Sequence, residues 1–124
     1  MPTLKPVRWV ASSKDDLSAL PEEVRGDVGQ ALYVAQRGDK HADAKFLKGF
    51  AGAGVLEIVA RHDGDTFRAV YTVRFPTAIY VLHVFQKKSK SGIATAKKDI
   101  DLVKSRLKLA EDDYALLMSI GDKP

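Results

Sequence analysis

Three segments rich in apolar residues follow one another in the middle of the chain, at residues 55–61, 66–75 and 78–86. Their many β-branched and aromatic residues are typical of β-strands. The sequence His-Asp-Gly-Asp at 62–65 separates the first two segments, and Pro-Thr at 76–77 separates the last two. Both are turn signals. Because the connections are short, we predict an antiparallel meander of three strands.

Successive side chains of a β-strand point to opposite faces of the sheet, which predicts which residues share a face. One face of the middle strand should carry Phe67, Ala69, Tyr71, Val73 and Phe75, and the other should carry Arg68, Val70, Thr72 and Arg74. In the third strand, the residues predicted to share a face are Ile79, Val81, His83 and Phe85.

Before the meander, the pattern predicts a short strand at 6–10 and a brief helix at 15–20. A longer helix is predicted at 22–36, because Val24, Val28, Ala31 and Ala35 recur at steps of four, three and four and form one apolar stripe. Residues 38–54 show no regular pattern. We predict a loop there, with at most one helical turn at 44–50.

After the meander, a helical stripe recurs at steps of four, three, four and three, formed by Ala96, Ile100, Val103, Leu107 and Ala110. It predicts a long helix that starts near Ala94, with Thr95 as a candidate N-cap. Residues 111–120 could extend this helix or form a second short one. The order of elements predicts a small α+β fold in one domain over residues 1–124, with one sheet face covered by helices and one open.

Composition narrows the function classes. The 124 residues include no Cys, which excludes disulfides, thiol nucleophiles and thiolate metal sites and fits a reducing cytoplasm. The three His show no metal-ligand spacing, so we predict neither a metal nor a cofactor. No apolar run is long enough for a signal peptide or a membrane span. We therefore expect a cytoplasmic protein with no membrane partner.

Positive charge concentrates after the third strand. The chain carries a net charge of +4 and a pI near 9.3, which favours an anionic partner, nucleic acid first and then a membrane surface or an acidic protein. Residues 81–98 contain five Lys and no Asp or Glu. A strand that delivers a lysine cluster to the rim of a sheet is therefore where we look for function.

Two stretches carry a resemblance to a known family: residues 54–61 together with 67–71, and residues 81–89, with sequence VLHVFQKKS. In these stretches and in its order of elements, the chain resembles the RelE/ParE superfamily of type II toxin–antitoxin toxins, in the phage-derived, HigB-like branch. The resemblance implies a compact RelE-like fold and metal-independent cleavage of mRNA on the ribosome. It also implies a cognate antitoxin, often a helix-turn-helix protein in this branch.

The chain departs from this family at the loop after the third strand, where it has lysines in place of the arginines of some relatives. No counterpart is found in the last helix for the catalytic tyrosine that some relatives hold there.

Six residues are candidates for catalysis. Arg61 and Arg68 lie on either side of a short turn and could bind phosphate oxygens as guanidinium forks. Alternatively, both are exposed to solvent and pair with a nearby acid, which could be Glu57, Asp63 or Asp65. Lys87 and Lys88 could clamp the scissile phosphate, and one of them could transfer a proton if neighbouring positive charge lowers its pKa; alternatively, they are solvated.

His83 and Tyr71 are the other two candidates for catalysis. His83 suits proton transfer near neutral pH, although a histidine in an apolar strand is more often buried and paired. Tyr71 could stack on a base or donate to phosphate, or pack in the core. The residues predicted to contact RNA without catalysing are Lys90, Lys45, Lys48 and Phe85, of which Phe85 could equally be a core residue.

Three functions are open: a ribosome-dependent mRNA endonuclease, a ParE-like inhibitor of DNA gyrase, and a non-catalytic nucleic-acid-binding module. The basic cluster favours the first. Under it, Arg68→Ala and the double variant Lys87→Ala/Lys88→Ala should relieve growth inhibition and leave the fold intact.

Overall fold

The computed structural model describes residues 3–50, 52–87 and 95–121. Its elements, in chain order, are β1 (Val7–Trp9), α1 (Ser13–Ser18), α2 (Glu22–Gln36), β2 (Lys45–Phe46), β3 (Val55–His62), β4 (Asp65–Thr72), β5 (Ile79–Lys87) and α3 (Lys97–Gly121). The strands form one mixed sheet in the order β1-β5-β4-β3-β2. The predicted α+β class is confirmed.

The meander of β3, β4 and β5 is antiparallel, as predicted. Asp63 and Gly64 both have positive φ, 49° and 82°, as the two central residues of a tight type I′ hairpin require. β4 ends at Thr72, three residues before the predicted end, because the chain turns there. The Thr72 hydroxyl donates a hydrogen bond to the Ala53 carbonyl and accepts one from the Arg74 amide.

Two edge strands complete the sheet. β1 pairs in parallel with β5, with Val7 opposite Ile79. β2 pairs antiparallel with β3, with Lys45 opposite Glu57. The prediction of a loop with at most one helical turn at 44–50 is therefore wrong at β2, because two residues are too few to show a period and their strand exists only through its pairing.

Helices cover both faces of the sheet, so the prediction of one open face is wrong. The first core cluster lies between the sheet and α2; its α2 side chains include Val24, Val28 and Ala31, and its strand side chains include Tyr71 and Ile79. The second cluster lies between the sheet and α3. Its buried members include Val103, Leu107 and Ala110 from α3 and Val70 and Leu82 from the strands.

A β-bulge in β5 changes the facing of its second half. Val70 is opposite His83, whereas Tyr71 is opposite Val81, so Leu82 is an extra residue. Such an insertion breaks the alternation. Ile79 and Val81 pack in the α2 cluster, while His83 and Phe85 lie on the α3 side, so the prediction that all four share a face is wrong. Arg106 of α3 donates to the Leu82 carbonyl at 3.0 Å.

α3 is one continuous helix to Gly121, which resolves the two possibilities for 111–120. It begins at Lys97, and the Ala96 carbonyl accepts from the amides of Asp99 and Ile100. The predicted start, Ala94, is outside the described residues. Thr95 is not the N-cap, because Ala96 stands before the helix and the Thr95 hydroxyl bonds Glu57 instead. Among the described residues, no helix has the combination of length and apolar composition that crossing a membrane requires.

Candidate active site at the strand ends

Three rows of cross-strand neighbours line up on the α3 side of the sheet. The outermost row is Arg61, Thr66 and Lys87, and the next is Val59, Arg68 and Phe85. The third row is Glu57, Val70 and His83. Directly opposed residues have Cβ atoms about 4.5–5.5 Å apart. The meander therefore brings Arg61, Arg68, Lys87 and His83 together on one face.

Arg68 is buried in an ion pair. Its side chain is 7% exposed and that of Glu57 is 12% exposed, and Arg68 Nη1 lies 2.6 Å from Glu57 Oε1. Arg68 Nη1 also donates to the Thr95 hydroxyl at 3.1 Å, and that hydroxyl donates to Glu57 Oε2 at 2.6 Å. This network joins β3, β4 and the residue two positions before α3. Arg68 therefore has an acid partner, Glu57, which was the alternative to a phosphate fork. In contrast to that alternative, its side chain is buried and not exposed to solvent.

Lys87 lies at the end of β5 and is partly buried. Its pKa is lowered below the usual 10.5, first by desolvation and then by the positive charge of Arg68, while Glu57 opposes the change. A lysine with a lowered pKa can exchange protons more readily near neutral pH. Arg61, at the other end of the same row, is exposed and extends the positive charge to the hairpin.

His83 is buried and paired. Its Nε2 lies 2.8 Å from Asp99 Oδ1 in the first turn of α3, and its ring stacks on Phe85 with centroids 4.3 Å apart. Burial lowers the pKa of His83 below 6.5, and Asp99 partly offsets this. Through these contacts His83 holds the start of α3 against the end of β5.

A cavity of about 460 Å³ opens beside these residues. Its lining, among the described residues, consists of Phe85, Gln86, Lys87, Thr95, Ala96, Lys98 and Asp99. Two lysines and one carboxylate give it an excess of positive charge. An anionic group of the size of a nucleotide phosphate would therefore find a complementary surface here.

Of the other predicted site residues, Phe85 lines this cavity, whereas Tyr71, Lys45 and Lys48 lie elsewhere. Tyr71 is on the α2 face and fully buried, and burial raises its pKa to about 12; the structure does not bring it to this group. Lys45 and Lys48 are exposed on or beside β2. Phe85 is partly buried and stacked on His83. Lys88 and Lys90 lie outside the described residues.

Sequence reasoning missed the residues that organise the site. Thr95 bridges Arg68 and Glu57, and Asp99 holds His83. Glu57 was not missed, because the sequence already suggested it as a possible partner of the two arginines. It is the one acid in the apolar segment 55–60, and an acid on a covered face needs a partner. Thr95 and Asp99 gave no such signal, because their partners are distant along the chain.

Within the described residues, no group of three or more His, Asp or Glu side chains is arranged to hold a metal ion. The chemistry that the arrangement can perform with its own side chains is binding of an anion by Lys87 and Arg61 and proton transfer at Lys87.

Comparisons with known proteins give a family match and matches to solved structures. A family model described as phage-derived protein Gp49-like matches residues 15–108. A double arginine-to-alanine mutant of the Escherichia coli toxin RelE, in the free state, superposes with a TM-score of 0.55 at 15% identity, over 86% of this chain and 97% of that one. The RelBE2 toxin–antitoxin complex of Mycobacterium tuberculosis gives a TM-score of 0.45 at 22% identity, over 68% of this chain and 99% of that one. No curated protein matches the sequence.

Proposed function

The chain belongs to the phage-derived Gp49-like family, and on that premise we propose that it is the toxin of a type II toxin–antitoxin pair and cleaves mRNA on the ribosome without a metal. The observation that carries the proposal is the group at the strand ends, where Lys87 lines a positively charged cavity and the paired strands place buried Arg68 and exposed Arg61 on the same face. The fold shared with the E. coli toxin RelE supports it.

The reaction consists of attack by a ribose 2′-oxygen on the adjacent phosphorus, with departure of the 5′-oxygen. The 2′-hydroxyl loses a proton, the leaving 5′-oxygen gains one, and a 2′,3′-cyclic phosphate and a 5′-hydroxyl result. The protein must place the reacting atoms in line, stabilise the added negative charge and move the protons.

Each requirement has a candidate in this site. Lys87 and Arg61 bind the phosphate oxygens. Lys87, whose pKa is lowered, donates a proton to the leaving 5′-oxygen, and the proton of the 2′-hydroxyl passes to solvent. Arg68 acts through Lys87. Desolvation and the positive charge of Arg68 both lower the pKa of Lys87, and Glu57 holds the Arg68 side chain in place. His83 positions the start of α3 through Asp99. Lys88 and Lys90 remain predicted RNA contacts.

An antitoxin is the second part of the proposal. A toxin that cleaves mRNA in the cytoplasm of its own cell must be neutralised there, and a helix-turn-helix protein is the partner that the resemblance implies. Co-expression of a candidate antitoxin should restore growth and co-purify the chain. A candidate that restores growth without binding the chain would contradict direct neutralisation.

The first experiment is induced expression in a bacterial host, with mapping of mRNA 5′ ends during growth arrest. We expect new ends at in-frame codon positions within translated regions. Arrest with DNA-damage signalling and no new ends would instead indicate a gyrase inhibitor. RNA binding without arrest would indicate a non-catalytic module.

The variant Lys87→Arg separates the two roles of that side chain, because arginine keeps the positive charge but does not release a proton near neutral pH. We expect it to retain RNA binding and to lose most of the new 5′ ends at equal expression. The matched control is Lys104→Ala, an exposed lysine of α3, which should cleave like the parent. Full cleavage by Lys87→Arg would rule out proton transfer by this residue.

A further inference from the structure

The edge strand β2 presents an aromatic side chain to solvent. Phe46 is 64% exposed, the largest fraction among the large hydrophobic side chains of the described residues. It lies opposite Leu56 of β3. The edge strand therefore offers a ring that a planar ligand could stack on.

Phe46 is held by a fixed backbone. Ala44, two residues before it, is fully buried in the α2 cluster, and Phe50, four residues after it, is buried in the α3 cluster. The next amide, that of Leu47, donates to the Val55 carbonyl at 2.9 Å. The segment is therefore anchored on both sides of the ring, and a ligand would meet a side chain with little backbone entropy left to lose.

The surroundings of Phe46 are cationic. Lys40 Nζ lies 6.0 Å from the centroid of the ring, and Lys45 and Lys48 are exposed on the same segment. Residues 38–50 contain three Lys and two Asp; of the latter, Asp39 forms an ion pair with Arg37 at 3.7 Å. An aromatic face with lysines around it is the combination by which proteins bind single-stranded nucleic acid.

We propose that Phe46 stacks on an unpaired base of RNA while Lys40, Lys45 and Lys48 contact the neighbouring phosphates. The inference rests on the proposed function, from which RNA is taken as the partner. An apolar protein surface would bury the ring equally well, but it would leave Lys40 and the two exposed lysines of the same segment without a counterpart, whereas an RNA strand supplies both partners.

Lys45 connects this surface to the candidate active site. Lys45 lies opposite Glu57, the partner of Arg68, on the α3 side of the sheet. Phe46 lies opposite Leu56, which packs in the α2 cluster, so the two neighbours face opposite sides of the edge strand β2. Glu57 and Arg61 are four positions apart on β3, a distance of about 13 Å, so an RNA strand that follows this edge past Lys45 approaches the row that contains Arg61 and Lys87.

The test measures binding of the full-length chain to a 12-nucleotide RNA by fluorescence anisotropy. The RNA is 2′-O-methylated throughout so that it cannot be cleaved, and a second version has abasic sites in place of its bases. Phe46→Ala should weaken binding to the first RNA by roughly 5- to 150-fold, the range found for base–aromatic stacking. On the abasic RNA, Phe46→Ala and the parent should bind equally.

Three further variants control this result. Phe46→Trp should retain affinity, because it keeps a stacking surface. Tyr33→Ala removes another exposed aromatic residue, 46% exposed and with Arg37 5.9 Å from its ring, and should bind RNA like the parent. Lys45→Ala should reduce the salt dependence by about 0.7 in log–log slope, the value for one single-strand phosphate contact, whereas Phe46→Ala should leave it unchanged.

Unchanged binding of Phe46→Ala to the intact RNA would overturn the inference, as would an equal loss on both RNAs. If that variant also sediments as a smaller species than the parent, Phe46 belongs to an interface between copies of the chain. Base-dependent loss of binding in a chain that generates no new mRNA 5′ ends would keep this inference and refute the proposed cleavage. If Phe46→Ala left both RNA binding and the positions of the new 5′ ends unchanged, the proposed cleavage would stand and this inference would be refuted.

Discussion

The buried pair of Glu57 and Arg68 allows a prediction whose size follows from the structure. The two side chains are 12% and 7% exposed and lie 2.6 Å apart. Glu57→Leu would leave the Arg68 charge buried without this partner, and Arg68→Met would do the same to Glu57. Loss of one partner from a buried pair costs about 3–5 kcal/mol. For a chain of 124 residues, this corresponds to a decrease in Tm of roughly 10–20 °C.

The double variant Glu57→Leu/Arg68→Met should recover most of this loss. Replacement of a buried pair by apolar residues of similar volume is often neutral or stabilising, so we expect the double variant within about 2 kcal/mol of the parent. Urea unfolding followed by circular dichroism measures all four proteins and closes the cycle. The reasoning would be refuted if each single variant lost less than about 1 kcal/mol, or if the losses were additive.

The same pair corrects the expectation that Arg68→Ala relieves growth inhibition with the fold intact. Arg68→Ala should destabilise the chain, since it leaves Glu57 without its guanidinium, so loss of toxicity by this variant alone does not identify a chemical role. The double variant Glu57→Leu/Arg68→Met is more informative: if it folds like the parent and yet generates no new mRNA 5′ ends, the pair of Glu57 and Arg68 serves the chemistry as well as the fold.

Three further predictions concern the two cores. Burial lowers the pKa of His83, so the unfolded chain binds this proton more tightly than the folded chain does. The contribution of His83 to stability should therefore be complete above pH 6.5 and decrease as the pH falls below it. If the Tm of the parent decreased between pH 8 and pH 5.5 by no more than that of His83→Gln, the assignment would be contradicted. Leu107→Asp should lower the free energy of unfolding by more than about 3 kcal/mol, because it places a charge in the α3 core. Leu116→Asp, at a site 60% exposed, should leave Tm unchanged. Equal Tm values for the two variants would contradict the packing of α3 on the sheet. Tyr71→Phe should be neutral or slightly stabilising in thermal melts, because among the described residues the buried Tyr71 hydroxyl has no hydrogen-bond partner and its removal leaves nothing unpaired; a large loss would show that the hydroxyl is used.

Local pattern in the sequence was sufficient for the helix at 22–36, for the meander and for the tight turn at Asp63 and Gly64. These features depend on residues close together along the chain, whose periodicity and turn chemistry act before any distant contact forms. The same patterns correctly placed Arg68 and Tyr71 on opposite faces of β4. They also brought Arg61, Arg68 and Lys87 to one end of the sheet.

Tertiary structure decided what depends on distant partners. β2 is a strand only because β3 offers it an edge, and β1 joins the sheet by parallel pairing with β5. The extra residue Leu82, whose carbonyl is bonded by Arg106 of α3, moves His83 to the face where Asp99 meets it. Alternation by itself could not predict this, because a bulge reverses every later side chain. The sequence by itself thus determined which side chains the strand ends carry, and packing against α3 decided which of them are buried, paired or left open to a ligand.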